Sequence, residues 1–235
     1  MTRPPMTRPV AIFDLDGTLV DTPRAIVDTF AAVFASIGAK APAPDAIRWT
    51  IGLPLEQAFA GLLDIQRKDE RVGQAVRRYQ ELFRDLVLPR AQALVFPGVV
   101  QGLAALRDSG FALAVATSKH QASAEALLRA AALRDAFDVV VGADQVSRPK
   151  PDPESARLVF RLLGAPAGRP VMVGDTTHDL LMARAAGIAS IAVTYGVHDR
   201  QELLAADPTS IVDSFDDVPG TIAGLQAEPQ EGARA

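Results

Sequence analysis

Two aspartates separated by one residue, Asp14 and Asp16, end an apolar run near the start of the chain. One carboxylate can attack an electrophile as a nucleophile, while the other protonates the leaving oxygen and later activates water. If the run stays extended to Asp16, side-chain alternation places both carboxylates on the same side. Gly17 permits a sharp turn, and the Thr18 hydroxyl can orient a carboxylate. An Asp-rich surface turn would produce the same letters.

Hydroxyl and cationic residues follow two later β-rich runs. Thr117 and Ser118 end the second run, where hydroxyl and backbone N–H groups can bind a phosphate oxygen. Lys150 follows the third run between two prolines and can offset negative charge on a nucleophile and a phosphoryl group. Taken singly, Thr117 and Ser118 could instead cap the next helix, and Lys150 could be a solvated loop lysine.

A second acidic cluster, with Asp175 and Asp179, follows the fourth run. Together with Asp14 it can form an oxygen-rich site suited to Mg²⁺. The alternative is that either aspartate only caps the next helix. Since the polar signals come in order at the ends of four predicted strands, their joint occurrence favours a single site.

The elements that must position these residues alternate between strand and helix. Most of the β-rich runs are too continuously apolar for half-exposed strands, which predicts a parallel sheet buried on both faces. Ligands of such sheets bind at the carboxyl ends of the strands. The six runs are VAIFDLD, FALAVATS, FDVVVGAD, RPVMVGD, SIAVTYG and SIVDSF.

One interval, residues 22–95, breaks this alternation because it contains helical patterns and no convincing strand. It is too long for one crossover connection. The predicted fold class is therefore α/β, with a Rossmann-like parallel sheet core and an inserted α-helical cap domain. We assign 8–21 and 96–220 to the core and 22–95 to the cap, and expect flexible tails at 1–7 and 221–235.

From position 10 to about position 218 the sequence resembles the haloacid dehalogenase superfamily, with phosphoglycolate phosphatase-like members the most similar. The resemblance is carried by IFDLDGTLVD, AVATS, RPKPDP and VGDTTHD. It implies a magnesium-dependent phosphatase that forms an aspartyl phosphate. The helical insertion after the first motif is similar to the family's α-helical cap.

The resemblance assigns roles to the acidic residues. Asp14 would be the nucleophile and a magnesium ligand, and Asp16 the general acid/base that binds magnesium through its main-chain carbonyl. Asp175 would be the third ligand, and Asp179 would support the site through water or Lys150. We expect the acidic side chains of residues 14, 16 and 175 to converge on one ion.

The phosphoryl group would be held by Thr117 and Lys150, with Ser118, Gly17 and Thr18 as further candidates. A closing cap would exclude water and carry selectivity.

Residues near the cap loop are the candidates for contact with the substrate. Gly52 lies in the loop itself, and Arg48 just before it is a candidate for a substrate carboxylate. Lys119 and His120 could contact the leaving group. Solvated or packing roles are the alternatives for these side chains.

Phosphoglycolate is the favoured substrate, and pyrophosphate, a sugar phosphate or a nucleotide monophosphate could be handled by the same core. In sugar-phosphate mutases an arginine follows the cap-loop glycine, whereas Leu53 stands here, so a phosphomutase is less favoured. A phospho-accepting signalling module is the alternative from another class. The paired Asp14 and Asp16 and the long insertion argue against it.

Composition excludes several classes of function. The net charge of −4, with no basic stripe, argues against nucleic acid as a partner. The absence of cysteine excludes disulfides and thiolate chemistry. No apolar run is long enough for a bilayer, so we expect a cytoplasmic monomer or homodimer without membrane contact. Either Met1 or Met6 could be the initiator.

Overall fold

The computed structural model describes residues 8–227 and contains a six-stranded parallel sheet. The strands are β1 (Val10–Phe13), β2 (Ala112–Ala116), β3 (Val139–Val141), β4 (Val171–Gly174), β5 (Ala189–Val193) and β6 (Ser210–Val212). Their order in the sheet is β3-β2-β1-β4-β5-β6. All six predicted strand runs are confirmed, and so is the predicted α/β fold class.

The central strands are buried on both faces, as their continuously apolar sequences require. Every residue of β1, β2, β4 and β5 is buried. Strand β1 pairs with β2 on one side, with Phe13 opposite Val115, and with β4 on the other, with Phe13 opposite Val173. This register aligns the carboxyl ends of the three strands at one edge of the sheet.

Strand β1 is shorter than the sequence indicated. It ends at Phe13, although the Asp14 N–H still donates to the Val173 carbonyl at 2.9 Å. Gly17 takes a φ of +86°, and Asp16 is joined to Val20 by an isolated β-bridge. The expectation of an extended strand through Asp16 is therefore wrong, because the chain turns immediately after the first aspartate.

Ten α-helices surround or extend this sheet in the described part of the chain. They are α1 (Pro23–Ser36), α2 (Pro44–Arg48), α3 (Leu55–Leu63), α4 (Glu70–Leu86), α5 (Val99–Asp108), α6 (Gln121–Ala130), α7 (Glu154–Leu163), α8 (Thr177–Ala186), α9 (Arg200–Ala205) and α10 (Val218–Ala227). Short 3₁₀ helices lie at 88–94, 134–136, 143–145 and 215–217.

Helices α1 to α4 lie within residues 22–95, here called the cap. They pack around an aromatic cluster in which the Phe30 and Phe59 rings are stacked with centroids 4.4 Å apart. Tyr79 of α4 contacts Phe30 with centroids 5.0 Å apart and stacks on Phe83 at 5.7 Å. These buried rings give the insertion an apolar centre of its own. The division into separate domains stays a prediction.

One predicted boundary needs correction. Helix α10 runs to Ala227, so residues 221–227, which we assigned to a flexible tail, are helical. The helix is held because Val218, Ile222 and Leu225 are buried in the core. Segments 1–7 and 228–235 lie outside the described residues. Within residues 8–227 no helix is both long enough and apolar enough to cross a bilayer.

Candidate active site

The predicted site residues meet where the chain reverses its direction of travel across the sheet. From β1 the chain goes to β2 and β3 on one side and later to β4, β5 and β6 on the other. Such a switch point leaves a crevice at the strand ends. Asp14 follows β1, Thr117 follows β2 and Asp175 follows β4, so the topology delivers all three to this crevice.

Three buried carboxylates lie together in the crevice. Oxygen atoms of Asp14, Asp175 and Asp179 all lie within 4.8 Å of one another. Their residues are 4 %, 0 % and 0 % exposed, so water screens their mutual repulsion poorly. The side chain of Asp16 does not belong to this group, so the expectation that its carboxylate converges with those of Asp14 and Asp175 is wrong.

Lys150 provides the positive charge beside this cluster. Its Nζ lies 2.9 Å from Oδ1 of Asp14 and 2.6 Å from Oδ1 of Asp179, and it donates to the Ala116 carbonyl at 3.2 Å. The lysine side chain is 2 % exposed. One ammonium thus faces three carboxylates, and the local charge is not balanced by protein groups of the cluster.

The carboxylate of Asp175 is held on both sides. Its Oδ1 accepts from the Thr18 hydroxyl at 2.7 Å, and its Oδ2 accepts from the Val197 N–H at 2.8 Å. A side chain at Gly17 or Gly196 would overlap the Asp175 side chain, so both glycines are needed for the close approach of their loops.

Asp179 is fixed from the opposite direction. Its Oδ2 accepts from the N–H of Thr176 at 3.1 Å and from the Thr176 hydroxyl at 2.7 Å, in the first turn of α8. Its Oδ1 binds Lys150. Asp179 therefore caps a helix and also orients the lysine. The two roles that the sequence left as alternatives are combined in one side chain.

Burial raises the pKa of Asp14 to about 7, because desolvation and the charges of Asp179 and Asp16 outweigh the attraction of Lys150. Burial, with the charge of Asp14 next, also raises the pKa of Asp175 well above its ordinary value. Burial lowers the pKa of Lys150, but the charges of Asp14 and Asp179 outweigh it and raise that pKa overall.

The donor set fits a hard divalent cation. Oδ1 of Asp14 is buried, and the protein cation beside it, Lys150, is shared with Asp179. A cluster of buried carboxylates is costly unless further cations offset its charge. Clustered carboxylate oxygens are the ligands that Mg²⁺ prefers.

The carboxylate of Asp16 contacts a hydroxyl group and a lysine. Its Oδ1 accepts from the Thr22 hydroxyl at 2.6 Å, and its Oδ2 lies 3.0 Å from Nζ of Lys119. That ammonium also sits over the Phe83 ring, 4.3 Å from its centroid. Asp16 thus links the first loop to a residue of the cap through one lysine.

A cavity of about 610 Å³ opens beside Asp14 and Asp16 and extends to helix α4 of the cap. Of the residues predicted from the sequence, it is lined by Asp14, Asp16, Thr117, Ser118, Lys119, His120 and Gly52. An acidic pair, hydroxyl groups and a cation therefore face one cavity next to the candidate cation site.

Four residues that the sequence predicted to contact the substrate do not line this cavity, namely Lys150, Arg48, Thr18 and Gly17. Arg48 donates to the carbonyls of Gly196 at 2.9 Å and Val197 at 3.0 Å and lines a separate surface cavity, so its role as a carboxylate contact stays a prediction. Thr18 and Gly17 are buried beneath Asp175 and do not line the cavity. The turn that places Thr18 and Gly17 under Asp175 keeps both residues away from the cavity wall.

The cap contacts the core directly across the cavity. The Ser118 hydroxyl donates to the Gly52 carbonyl at 2.6 Å. Nε2 of His120 lies 3.0 Å from Glu56 of α3, and its Nδ1 lies 3.2 Å from the amide nitrogen of Gln80 of α4. The residues after β2 therefore combine contact with the cavity and attachment to the cap.

Sequence reasoning missed the residues that orient the acids. Thr22 holds Asp16, and the backbone of Val197 holds Asp175. The hydroxyl of Tyr195 donates to the Thr18 carbonyl at 3.0 Å and fixes the first loop. No spacing signal connects Val197 to Asp175. The role of Thr22 could have been predicted, because it is a hydroxyl residue only six positions after Asp16 in the sequence.

Residues 11–193 match the family described as haloacid dehalogenase-like hydrolase, and the chain belongs to that family. It is 55 % identical to "probable phosphatase IndB" of Dickeya dadantii, covering 93 % of this chain and 95 % of that protein. It is 31 % identical to a phosphoglycolate phosphatase of Mesorhizobium japonicum, covering 90 % and 93 %.

A solved structure of CbbY from Rhodobacter sphaeroides in complex with phosphate is 30 % identical, with a TM-score of 0.77 over 94 % of this chain and 99 % of that one. The predicted family is confirmed, and the predicted enzyme class, a phosphatase, agrees with the names of these relatives.

The Thr18 hydroxyl is expected to support cation binding through Asp175. Thr18→Val keeps the side-chain shape but removes the donor, and loss of such a supporting hydrogen bond typically weakens metal affinity about 10–100-fold. Isothermal titration with Mg²⁺ measures the effect. Thr29→Val is the matched control, since Thr29 is also buried but its hydroxyl bonds only to the Ala25 carbonyl of its own helix. Equal affinities in both variants would contradict the assignment.

The contact between His120 and Glu56 predicts a titration shift. The hydrogen bond to Glu56 raises the pKa of His120 above its ordinary 6.5, with Asp144 assisting and burial and Lys119 opposing. The contact's contribution to stability is therefore full below pH 6.5 and is lost as pH rises through the raised pKa. NMR titration of the His120 ring should show a lower pKa in Glu56→Gln. An unchanged midpoint would refute the pairing.

Proposed function

We propose that this protein hydrolyses small phosphate monoesters with Mg²⁺, through an aspartyl phosphate on Asp14. The observation that carries the proposal is the charge imbalance at the strand ends, where three buried carboxylates cluster and one lysine contacts two of them, Asp14 and Asp179. A divalent cation suits such a site because it offsets the negative charge that the lysine leaves, and it thereby lowers the repulsion that an approaching phosphoryl group meets.

The cation would be held by the carboxylates of Asp14 and Asp175 and by the main-chain carbonyl of Asp16. Asp179 would support the site through Lys150, with which it is already paired. When bound, Mg²⁺ supplies charge neutralisation for the phosphoryl oxygens and the nucleophile. The Thr18 hydroxyl already orients the Asp175 carboxylate for this role.

The residues divide the reaction into two displacements. In the first, a carboxylate oxygen of Asp14 bonds to phosphorus while the bond from phosphorus to the ester oxygen breaks, and Asp16 gives its proton to the departing alkoxide. In the second, Asp16 takes a proton from water, whose oxygen bonds to phosphorus as the bond to Asp14 breaks. Inorganic phosphate leaves, and both aspartates return to their starting state.

Lys150 and two residues that line the cavity, Thr117 and Ser118, would hold the phosphoryl group during both displacements. Lys150 lies against Asp14 and can bind the phosphoryl oxygens as they approach. Thr117 is buried at the end of β2 and lines the cavity beside Asp14. The Ser118 hydroxyl is already bound to the Gly52 carbonyl, so its contribution includes holding the cap loop over the site.

The sequence favoured phosphoglycolate, and the 31 % identical relative carries that name. The arginine proposed to bind the glycolate carboxylate, Arg48, instead bonds to the backbone of Gly196 and Val197. The support for phosphoglycolate is therefore confined to the relatives. A signalling module is less favoured, since a cavity of about 610 Å³ beside Asp14 has the size of a small-molecule site.

Asp14→Asn should fold and have no detectable turnover of phosphate esters, because the amide cannot form the covalent intermediate. A phosphate-release assay with Mg²⁺ measures the loss. Asp21→Asn is the matched control, since Asp21 lies in the same segment but is exposed. Single turnover of the unmodified enzyme in ¹⁸O-labelled water, with ³¹P NMR of the trapped phosphoenzyme, should show an acyl phosphate on Asp14 before phosphate is released. Release of phosphate without that species would contradict the covalent route.

Asp16→Asn should lower kcat by about 10²–10⁴ for an ester with a poor leaving group, since protonation of the alkoxide is lost. For an ester such as p-nitrophenyl phosphate, whose leaving group needs little protonation, the substitution should lower the rate of the first displacement less. Burst kinetics separate formation of the phosphoenzyme from its hydrolysis. If the burst rate falls equally for both esters, Asp16 is not the general acid.

A further inference from the structure

The cavity beside Asp14 is large for a two-carbon leaving group. Its volume of about 610 Å³ lies within the range of roughly 300–1,000 Å³ found for pockets that hold drug-sized ligands. If the proposed function is correct, the phosphoryl group lies at the Asp14 end of the cavity. The rest of the cavity extends to helix α4. Glycolate would leave most of that space without contact.

Part of the cavity wall is apolar and aromatic, although α4 also contributes Arg77, Gln80, Glu81 and Arg84 to the lining. Phe30, Tyr79 and Phe83 line it, with Ile26 from α1 and Leu53 from the cap loop. The three rings adjoin one another, with centroids 5.0 Å apart between Phe30 and Tyr79 and 5.7 Å apart between Tyr79 and Phe83. Such a surface favours a flat or apolar group, which gains free energy by leaving water.

The cavity offers little to a second negative charge. Among its lining residues in the described part of the chain, Lys119 is the largely buried cation, and it is paired with Asp16 at 3.0 Å and lies over Phe83. His120 is engaged with Glu56. A carboxylate bound deep in the cavity would have to compete with these acids for its partner.

The two arginines that line the cavity, Arg77 and Arg84, are exposed. Arg84 also pairs with Asp85 at 2.8 Å. Exposed cations are screened by water and contribute little to binding. Burying a carboxylate beside the aromatic wall without a dedicated partner is costly, whereas burying an uncharged ring there is not.

We propose that the preferred substrates are phosphate monoesters whose leaving alcohol is uncharged and carries a ring, which binds against Tyr79 and Phe83 of α4. This inference rests on the proposed function and names the substrate class for the same site. The reaction is the hydrolysis described above, with the ring-bearing alcohol as the product that takes the proton from Asp16.

The test compares three esters of primary alcohols, so that leaving-group reactivity differs little among them. Benzyl phosphate carries a neutral ring, ethyl phosphate carries neither ring nor charge, and phosphoglycolate carries a carboxylate. Phosphate release with Mg²⁺ gives kcat/KM for each. We expect benzyl phosphate to exceed both others by about tenfold or more, the scale on which apolar contacts discriminate substrates.

A substitution in the cap loop tests whether the cavity itself sets this preference. Leu53→Arg places a cation on the cavity wall and should lower the ratio of kcat/KM for benzyl phosphate over phosphoglycolate by about tenfold or more. Leu86→Arg is the matched control, because Leu86 is exposed on α4 and does not line the cavity. It should leave the ratio unchanged.

The outcomes separate the two proposals. If phosphoglycolate or ethyl phosphate matches or exceeds benzyl phosphate, the substrate class is wrong while the phosphatase proposal stands. If Leu53→Arg leaves the ratio unchanged, the cavity does not set the preference and the inference fails. If none of the esters is hydrolysed with Mg²⁺, the proposed function fails and the inference falls with it.

Discussion

The candidate site buries more carboxylate groups at the strand ends than the single lysine beside them, Lys150, can offset. Asp14, Asp175 and Asp179 are almost inaccessible to water, and Lys150 is the cation that touches two of them. Removing a charge from water costs several kcal/mol per ion unless partners replace the lost hydration. The fold maintains this arrangement through backbone and hydroxyl donors to Asp175 and Asp179, and a divalent cation would complete the balance.

The surrounding elements meet that requirement. The parallel sheet is buried on both faces and brings the ends of β1, β2 and β4 together, while Gly17 and Gly196 let two loops close on Asp175. The cap then covers the crevice through contacts made by the residues just after β2. Because those residues also line the cavity, the position of the cap and the shape of the substrate site are coupled.

The sequence was sufficient to place residues at strand ends and insufficient where long-range contacts decide. Asp14, Thr117 and Asp175 could be placed because buried parallel strands deliver their last residues to one edge. The direction of the Asp16 side chain could not be predicted, since a turn follows β1 in place of an extended strand through Asp16. The contacts of Arg48 could not be predicted, because nothing in the neighbouring sequence reveals that the backbone at 196–197 lies beside it.

The most direct test of the charge-balance account is a crystal structure with Mn²⁺ in place of Mg²⁺, in which anomalous scattering locates the ion. The account predicts one ion in contact with the carboxylates of Asp14 and Asp175, with Lys150 still bound to Asp179. An ion bound elsewhere, or a crevice in which Asp14 contacts Lys150 but no cation at saturating Mn²⁺, would contradict it.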